Sequence, residues 1–221
     1  RGARKEVLRA PVRILAIDGL EGNLATMERT VSSNGIASRP HAKTHKCPAI
    51  ARLQLEAGAV GICTAKVSEA EAMFDHGIEQ LLMTTTNVTP FKIERAMRLR
   101  KSCVGFIQAT DTPENARLLS EAAQAAGVVA DVVVDVDPGG HRTGITPGQP
   151  ALALAQLIDE LPGLRLSGLL CYDGGSQHVK GFEARRTRTL ERLNPATETK
   201  LLMDRSGLNT EIFSGGGTGT Y

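Results

Sequence analysis

Val132-Val133-Val134-Asp135-Val136, running on into Asp137-Pro138-Gly139-Gly140-His141-Arg142-Thr143-Gly144, decides the fold. A half-buried strand alternates apolar and polar residues. This one is apolar almost throughout, so both of its faces are expected to be covered, as in a βα barrel or a doubly wound sheet. Outward from it, the chain keeps one rhythm from Gly35 on, short β-rich runs alternating with longer amphipathic stretches, which is the pattern of a parallel sheet. Strands are expected over residues 35–43, 60–64, 80–85, 103–109, 131–137, 166–173 and 210–214, with helices over 48–57, 68–76, 90–100, 112–126, 150–160, 181–193 and 196–206. Pro90 and Pro113 suit first helical turns, Ser68 with Glu71 three places on reads as a capping box, and Gly58, Gly77, Gly127 and Gly207 mark stops. An earlier run, Val12-Arg13-Ile14-Leu15-Ala16-Ile17-Asp18, is also strand-like and leads into a helix over 20–32. Residues 1–34 therefore read as a strand and helix leading into a barrel over 35–221, whose seven strands fall short of the eight of a closed one.

The 221 residues can bury a sizeable core, and a formal net charge of +2, from 26 Lys and Arg against 24 Asp and Glu, argues against a nucleic-acid or membrane surface. Basic runs such as Arg185-Arg186-Thr187-Arg188 fall in helical patterns and read as solvated faces. Cys47, Cys63, Cys103 and Cys171 form no C-x-x-C pair, and three of them sit in apolar strand-like runs, so reduced thiols are expected and the cytoplasm is the expected compartment, with an organellar matrix as the alternative. No apolar stretch approaches the roughly 18 residues of a spanning helix.

Polar or glycine-rich residues follow nearly every expected strand, and active sites of βα barrels are built at that carboxyl end. In Arg39-Pro40-His41-Ala42-Lys43-Thr44-His45-Lys46, an amine on Lys43 or Lys46 can meet a carbonyl if it is partly desolvated; an ordinary exposed lysine is the bland alternative. His41 and His45 are candidate proton shuttles or structural histidines. In Ser214-Gly215-Gly216-Gly217-Thr218-Gly219-Thr220-Tyr221, bare backbone N–H groups and two threonine hydroxyls can wrap a phosphate, or the segment is a flexible tail. Arg142 can grip a phenolate or a carboxylate in forked geometry, Tyr172 can stack on a pyridine, and Gln177 and His178 are weaker candidates. An aldehyde for the amine and a phosphate for the glycines occur together in pyridoxal phosphate.

The first of these segments, together with Gly61-Ile62-Cys63-Thr64-Ala65-Lys66-Val67-Ser68-Glu69-Ala70, Tyr172-Asp173-Gly174-Gly175-Ser176-Gln177-His178 and Phe213-Ser214-Gly215-Gly216-Gly217-Thr218-Gly219-Thr220-Tyr221, resembles the D-threonine aldolase and D-serine dehydratase-like group of fold-type III pyridoxal-phosphate enzymes, whose barrel is shared with alanine racemase. The resemblance implies an α/β fold, a TIM-type (β/α)8 barrel of the alanine racemase N-terminal kind. It implies a Schiff base on Lys43 and not Lys46, a phosphate held by Ser214, Gly215, Gly216, Gly217 and Thr218 with Tyr221 nearby, Tyr172 beside the ring and Arg142 close to the cofactor. The implied activity is retro-aldol cleavage of D-3-hydroxy-α-amino acids such as D-threonine. The alternatives are loss of water from D-serine or 3-hydroxyaspartate, a non-catalytic pyridoxal-phosphate carrier, or a barrel for another phosphorylated metabolite. The Tyr172-Asp173-Gly174-Gly175 form looks more like the aldolases. Members of the group continue into a β-rich domain that carries a divalent metal, Mn or Mg, on a His with a Cys or Asp. No pair in this chain stands in for those ligands, so the last part of the barrel and that domain are expected beyond Tyr221. A small D-amino acid as substrate and a homodimer complete what the resemblance implies.

Overall fold

The computed structural model describes residues 15–220. Helix α1 (Ile17–Ser33) is followed by a single 3-10 turn (Ala42–Thr44) and α2 (Pro48–Ala57). The βα alternation then runs through β1 (Ile62–Thr64), α3 (Val67–Phe74), β2 (Leu81–Met83), α4 (Pro90–Ser102), β3 (Phe106–Thr110), α5 (Pro113–Ala126), β4 (Ala130–Asp135), α6 (Gln149–Glu160), β5 (Leu164–Cys171), a 3-10 turn (Ser176–His178), α7 (Phe182–Arg205) and β6 (Ile212–Gly215).

The six strands form one sheet in chain order, every pair parallel. This is a curled half-barrel, not a closed one. Alternation along the strands sorts side chains onto two faces. Ile62, Leu81, Phe106, Val132, Val134 and Leu166 pack outward against buried helix residues such as Met73, Met97, Leu119 and Ile158. Cys63, Leu82, Ala109, Val133 and Leu170 cluster on the inner face. With β4 buried along its whole length, the expectation that both of its faces are covered is met.

Four local expectations are corrected. Residues 35–43 make no strand: the only pairing there is a parallel bridge between His41 and Cys63, after which the chain tightens into the 3-10 turn that carries Lys43. Ile17 and Asp18 are helical, while Val12 to Ile14 lie outside the described residues. Ser68 and Glu71 form no capping box. Glu69 accepts the Ala65 N–H at 2.9 Å instead, and Glu71 is drawn off to pair with Arg95 of α4. Finally, α7 runs unbroken through Pro195, where the sequence reads two helices. Buried Ala196, Thr199 and Met203 hold its second half, and the Thr199 hydroxyl takes up both the Pro195 carbonyl at 2.7 Å and the Gly148 N–H at 2.7 Å. The helix starts at Pro90 and Pro113 and the stops at Gly58 and Gly127 stand where the sequence sets them.

Candidate functional site

The carboxyl ends of the strands carry the candidate residues, and the curl of the sheet brings together the ones that a flat sheet would separate. Lys43 lies just past the His41 bridge at one edge, and Tyr172 directly follows β5. Five strand spacings of about 4.8 Å would put these lines roughly 24 Å apart in a flat sheet. In the half-barrel, Lys43 Nζ stands 5.4 Å from the centre of the Tyr172 ring, and the Arg142 guanidinium carbon stands 5.3 Å from it. One half-buried aromatic ring thus has two cations against it, the arrangement of a cation–π contact.

Each of the three is held by its own local device. Lys43 rests on His41, whose Nδ1 accepts the Lys43 backbone N–H at 3.2 Å and whose Nε2 meets the Thr84 hydroxyl at 3.2 Å. Since Nδ1 accepts, Nε2 carries the hydrogen, and Thr84 passes its own to the Thr64 carbonyl at 3.3 Å. Burial, with Lys43 adding to it, pushes the imidazole down to about 4, so His41 is neutral and both of its nitrogens are occupied. His45 is held through its Nδ1, which accepts the Cys47 N–H at 3.1 Å, and burial lowers its pKa too. Lys46, at a positive φ of 48°, turns back to an ion pair with Glu69 at 3.1 Å. Burial opposes charge on Glu69, but the Ala65 N–H and Lys46 outweigh it, and the carboxyl sits below its usual range. Lys43 forms no such ion pair among the described residues. The chain leaves its side chain exposed, where the sequence reading expects partial desolvation.

Arg142 sits exposed on the loop that β4 enters. Asp137 organises that loop: its carboxylate accepts the N–H groups of Gly139 at 2.9 Å, Gly140 at 2.8 Å and His141 at 3.1 Å. A bridge from Val136 to Ile145 closes the far end, and Arg192 of α7 reaches over to the Pro138 and Gly139 carbonyls. Beneath it Asp135 is buried, its carboxyl pushed up to about 6 by desolvation first, with Asp111 and Asp137 adding to the rise and Thr143 and Arg142 opposing it.

Beyond Ser214, the glycine loop is shaped by close approach. A Cβ on Gly215 would lie 2.1 Å from the Cys171 carbonyl oxygen, a backbone atom that cannot move aside, and one on Gly217 would lie 2.7 Å from the Gln177 amide. The N–H groups of Gly217 and Thr218 have no acceptor among the described residues. Thr220, read from sequence as a possible donor to a phosphate, instead turns its hydroxyl onto the Gly217 carbonyl at 3.2 Å. Tyr221 lies outside the described residues.

Gln177 joins this loop to the rest. Its Nε2 donates to Tyr172 Oη at 2.8 Å and its Oε1 accepts the Gly219 N–H at 3.2 Å. An amine, an aromatic ring, a guanidinium and a bare-backbone cradle therefore form one contiguous site, and the donor set fits pyridoxal phosphate. Sequence reading ranks Gln177 low and passes over Asp137, whose signal is the Asp-Pro-Gly-Gly turn itself. Cys63 and Cys171 are pushed up to about 12 by burial, and the four cysteines are unpaired, as expected. Among the described residues, no group of three or more His, Cys, Asp or Glu could hold a metal ion, and no helix is long and apolar enough to cross a membrane.

The family model for the alanine racemase N-terminal domain matches residues 15–221. A D-threonine aldolase from an Arthrobacter species is 36% identical over 95% of this chain and 55% of its own length. A 3-hydroxy-D-aspartate aldolase from Paracoccus denitrificans is 34% identical over all of this chain and 57% of its own length. Among solved structures, D-threonine aldolase from Filomicrobium marinum superposes with a TM-score of 0.93 at 40% identity, covering 96% of this chain and 57% of that one. The chain thus spans little more than half the length of these relatives.

Proposed function

The chain belongs to the alanine racemase N-terminal domain family, and from that premise we propose that it forms the cofactor barrel of a pyridoxal-phosphate lyase that splits D-3-hydroxy-α-amino acids, D-threonine among them, into glycine and an aldehyde. The observation that carries this reading is the apposition of Lys43 Nζ to the Tyr172 ring at 5.4 Å, in a site tied through Gln177 to the glycine loop. Pyridoxal phosphate, when bound, supplies an electron sink for the pair left on Cα as the Cα–Cβ bond breaks.

The chain's own residues do the rest. Lys43 would offer the amine that anchors the cofactor aldehyde. The N–H groups of Gly217 and Thr218, without an acceptor among the described residues, would receive the phosphate beside Ser214 to Gly216. Tyr172 would offer its ring to the cofactor's pyridine, and Arg142, whose guanidinium stands 5.3 Å from the Tyr172 ring, would supply a positive fork for an anionic oxygen. Neutral His41 fixes the turn from which Lys43 projects; with both nitrogens engaged, it is not the proton acceptor for the substrate hydroxyl. A divalent metal has no ligand set among the described residues, so no step is assigned to it. The reduced thiols agree with a cytoplasmic enzyme.

The test incubates the full-length protein with D-threonine and follows aldehyde, glycine and ammonia. Aldehyde and glycine, both lost in Lys43→Ala, are expected. Ammonia with a keto acid would replace the aldolase by a dehydratase, and a native protein in which borohydride fixes no cofactor to Lys43 would overturn the reading altogether.

A further inference from the structure

Gln177 does not stand at the Lys43 amine, yet both ends of its side chain are used. A backbone N–H only donates, so the amide oxygen faces Gly219 at 3.2 Å and the NH2 group faces Tyr172 Oη at 2.8 Å. That orientation has two consequences. The glycine loop is tied by its Gly219 end to the turn that follows Tyr172, and Gln177 fills the space that side chains on the loop would need, its amide at 2.7 Å from a Cβ on Gly217 and its stem at 2.9 Å from one on Gly219. Tyr172 Oη, in turn, is held as an acceptor, which leaves its own hydroxyl hydrogen without an acceptor among the described residues and free for a bound group.

We infer that Gln177 is a positioning residue that couples the two halves of the cofactor site: it sets the pose of the phosphate loop and, through the same amide, fixes the Tyr172 ring and keeps its hydroxyl a donor. The inference rests on the pyridoxal-phosphate reading above. Gln177 acts through the loop and through Tyr172, so its removal should loosen both together. The Gln177 side chain is only half buried and the turn around it is built separately, by Asp173 accepting the Gly175 N–H at 2.9 Å and by its contact with the Ser176 hydroxyl, so the fold does not depend on it.

Gln177→Met keeps the length and the packing against the glycines and removes both hydrogen bonds. Each is worth a few-fold, so in the full-length protein the dissociation constant for pyridoxal phosphate is expected to rise about tenfold. The circular dichroism band of the bound cofactor should change as the Tyr172 ring relaxes. Hydrogen exchange of the Gly219 amide, measured without cofactor, should quicken by about tenfold. Gln177→Glu keeps an acceptor for Gly219 and turns Tyr172 from acceptor into donor; it should leave Gly219 protected and still alter the dichroic band. In a Tyr172→Phe background, the dichroic change caused by Gln177→Met should disappear while the Gly219 effect persists. Unchanged Gly219 exchange together with unchanged cofactor affinity in Gln177→Met overturns the inference, and so does a dichroic change undiminished in the Tyr172→Phe background. If Gln177→Met fails to fold, Gln177→Glu decides by the dichroic band: a band unchanged in that variant, or a change that persists in the Tyr172→Phe background, overturns the inference. A native protein that takes no cofactor on Lys43 would sink the functional reading instead, and the exchange of Gly219 would still decide whether Gln177 ties the loop.

Discussion

At the scale of single residues, two lysines three positions apart have opposite fates. Lys46 spends its amine on Glu69 at 3.1 Å, while Lys43 points to the Tyr172 ring. Lys43→Ala is therefore expected to abolish borohydride fixation of the cofactor, and Lys46→Ala to leave its affinity within about twofold, both read by mass spectrometry and absorbance, since Lys46 is the exposed partner of its ion pair and Glu69 keeps the Ala65 N–H without it. Without the family resemblance, the residues alone did not rank the two lysines, because what separates them is the backbone turn at Lys46, a positive φ that no residue type there announces. Titration offers a second test at this scale. Asp135, pushed up from an ordinary 3.8 to about 6 chiefly by burial, binds its proton more tightly folded than unfolded. Its stabilising contribution is complete below about pH 3.8 and is lost as pH rises through 6, a difference on the order of 3 kcal/mol. His41, pushed down from 6.5 to about 4, works the other way, and stability grows as pH rises from about 4 to 6.5. The two slopes oppose each other between about pH 4 and 6. Asp135→Asn should expose the His41 slope: urea unfolding is expected to show a variant more stable than the native protein at pH 8 and falling steeply below pH 6.5, whereas the native curve stays nearly level between 4 and 6. A variant whose acid limb parallels the native one would contradict this assignment.

Elements show where sequence patterns carry the fold and where packing overrides them. The βα rhythm, the apolar run over β4 and the prolines at the starts of α4 and α5 are local signals, and they survive into the structure unchanged. Pro195 is a local signal as well, and it fails. A proline removes one backbone bond and crowds the preceding turn, at a cost of about 3 kcal/mol in a helix interior, but contacts made from the far side of α7 hold the helix through it. The Gly148 N–H bonded to Thr199 joins α7 to the segment before α6, some fifty residues earlier, which periodicity within a window cannot register. If tertiary packing alone carries the helix across this point, Pro195→Ala restores a bond and loses nothing, and the protein should gain about 1–3 kcal/mol, seen as a rise in Tm without change in cofactor affinity. The loop after β4 makes the opposite case, with Asp137 alone gathering three successive N–H groups. Asp137→Ala should leave the sheet intact and weaken cofactor binding roughly tenfold by freeing Arg142, measured as a dissociation constant beside an unchanged far-UV spectrum.

Taken as a whole, the molecule divides its labour between the two ends of the sheet. Lys43, Arg142, Tyr172 and the glycine loop stand at the carboxyl ends. At the other end, Asp131 on β4 lies between Arg100 of α4, at 3.1 Å, and Arg165 of β5, at 2.8 Å. Arg100 also donates to the Val129 carbonyl at 2.7 Å and makes a contact with that of Val104, closing the floor of the half-barrel. Asp131 and Arg100 are each about 8% exposed in their side chains, while Arg165 is 60% exposed, so only one of the two pairs is a buried pair. Removing one member of a buried pair strands the other charge away from water and costs about 3–5 kcal/mol, whereas an exposed partner is worth at most about 1. In a βα barrel the chemistry sits at the carboxyl ends and the opposite end serves stability. Asp131→Ala is therefore expected to lower unfolding stability by about 3–5 kcal/mol while the folded fraction binds pyridoxal phosphate as tightly as the native protein, and Arg165→Gln to cost less than about 1 kcal/mol. Denaturant titration paired with cofactor binding reads both quantities. Loss of affinity in Asp131→Ala in step with its loss of stability would mean that the floor also shapes the site, through β4 and the buried Asp135 at its far end.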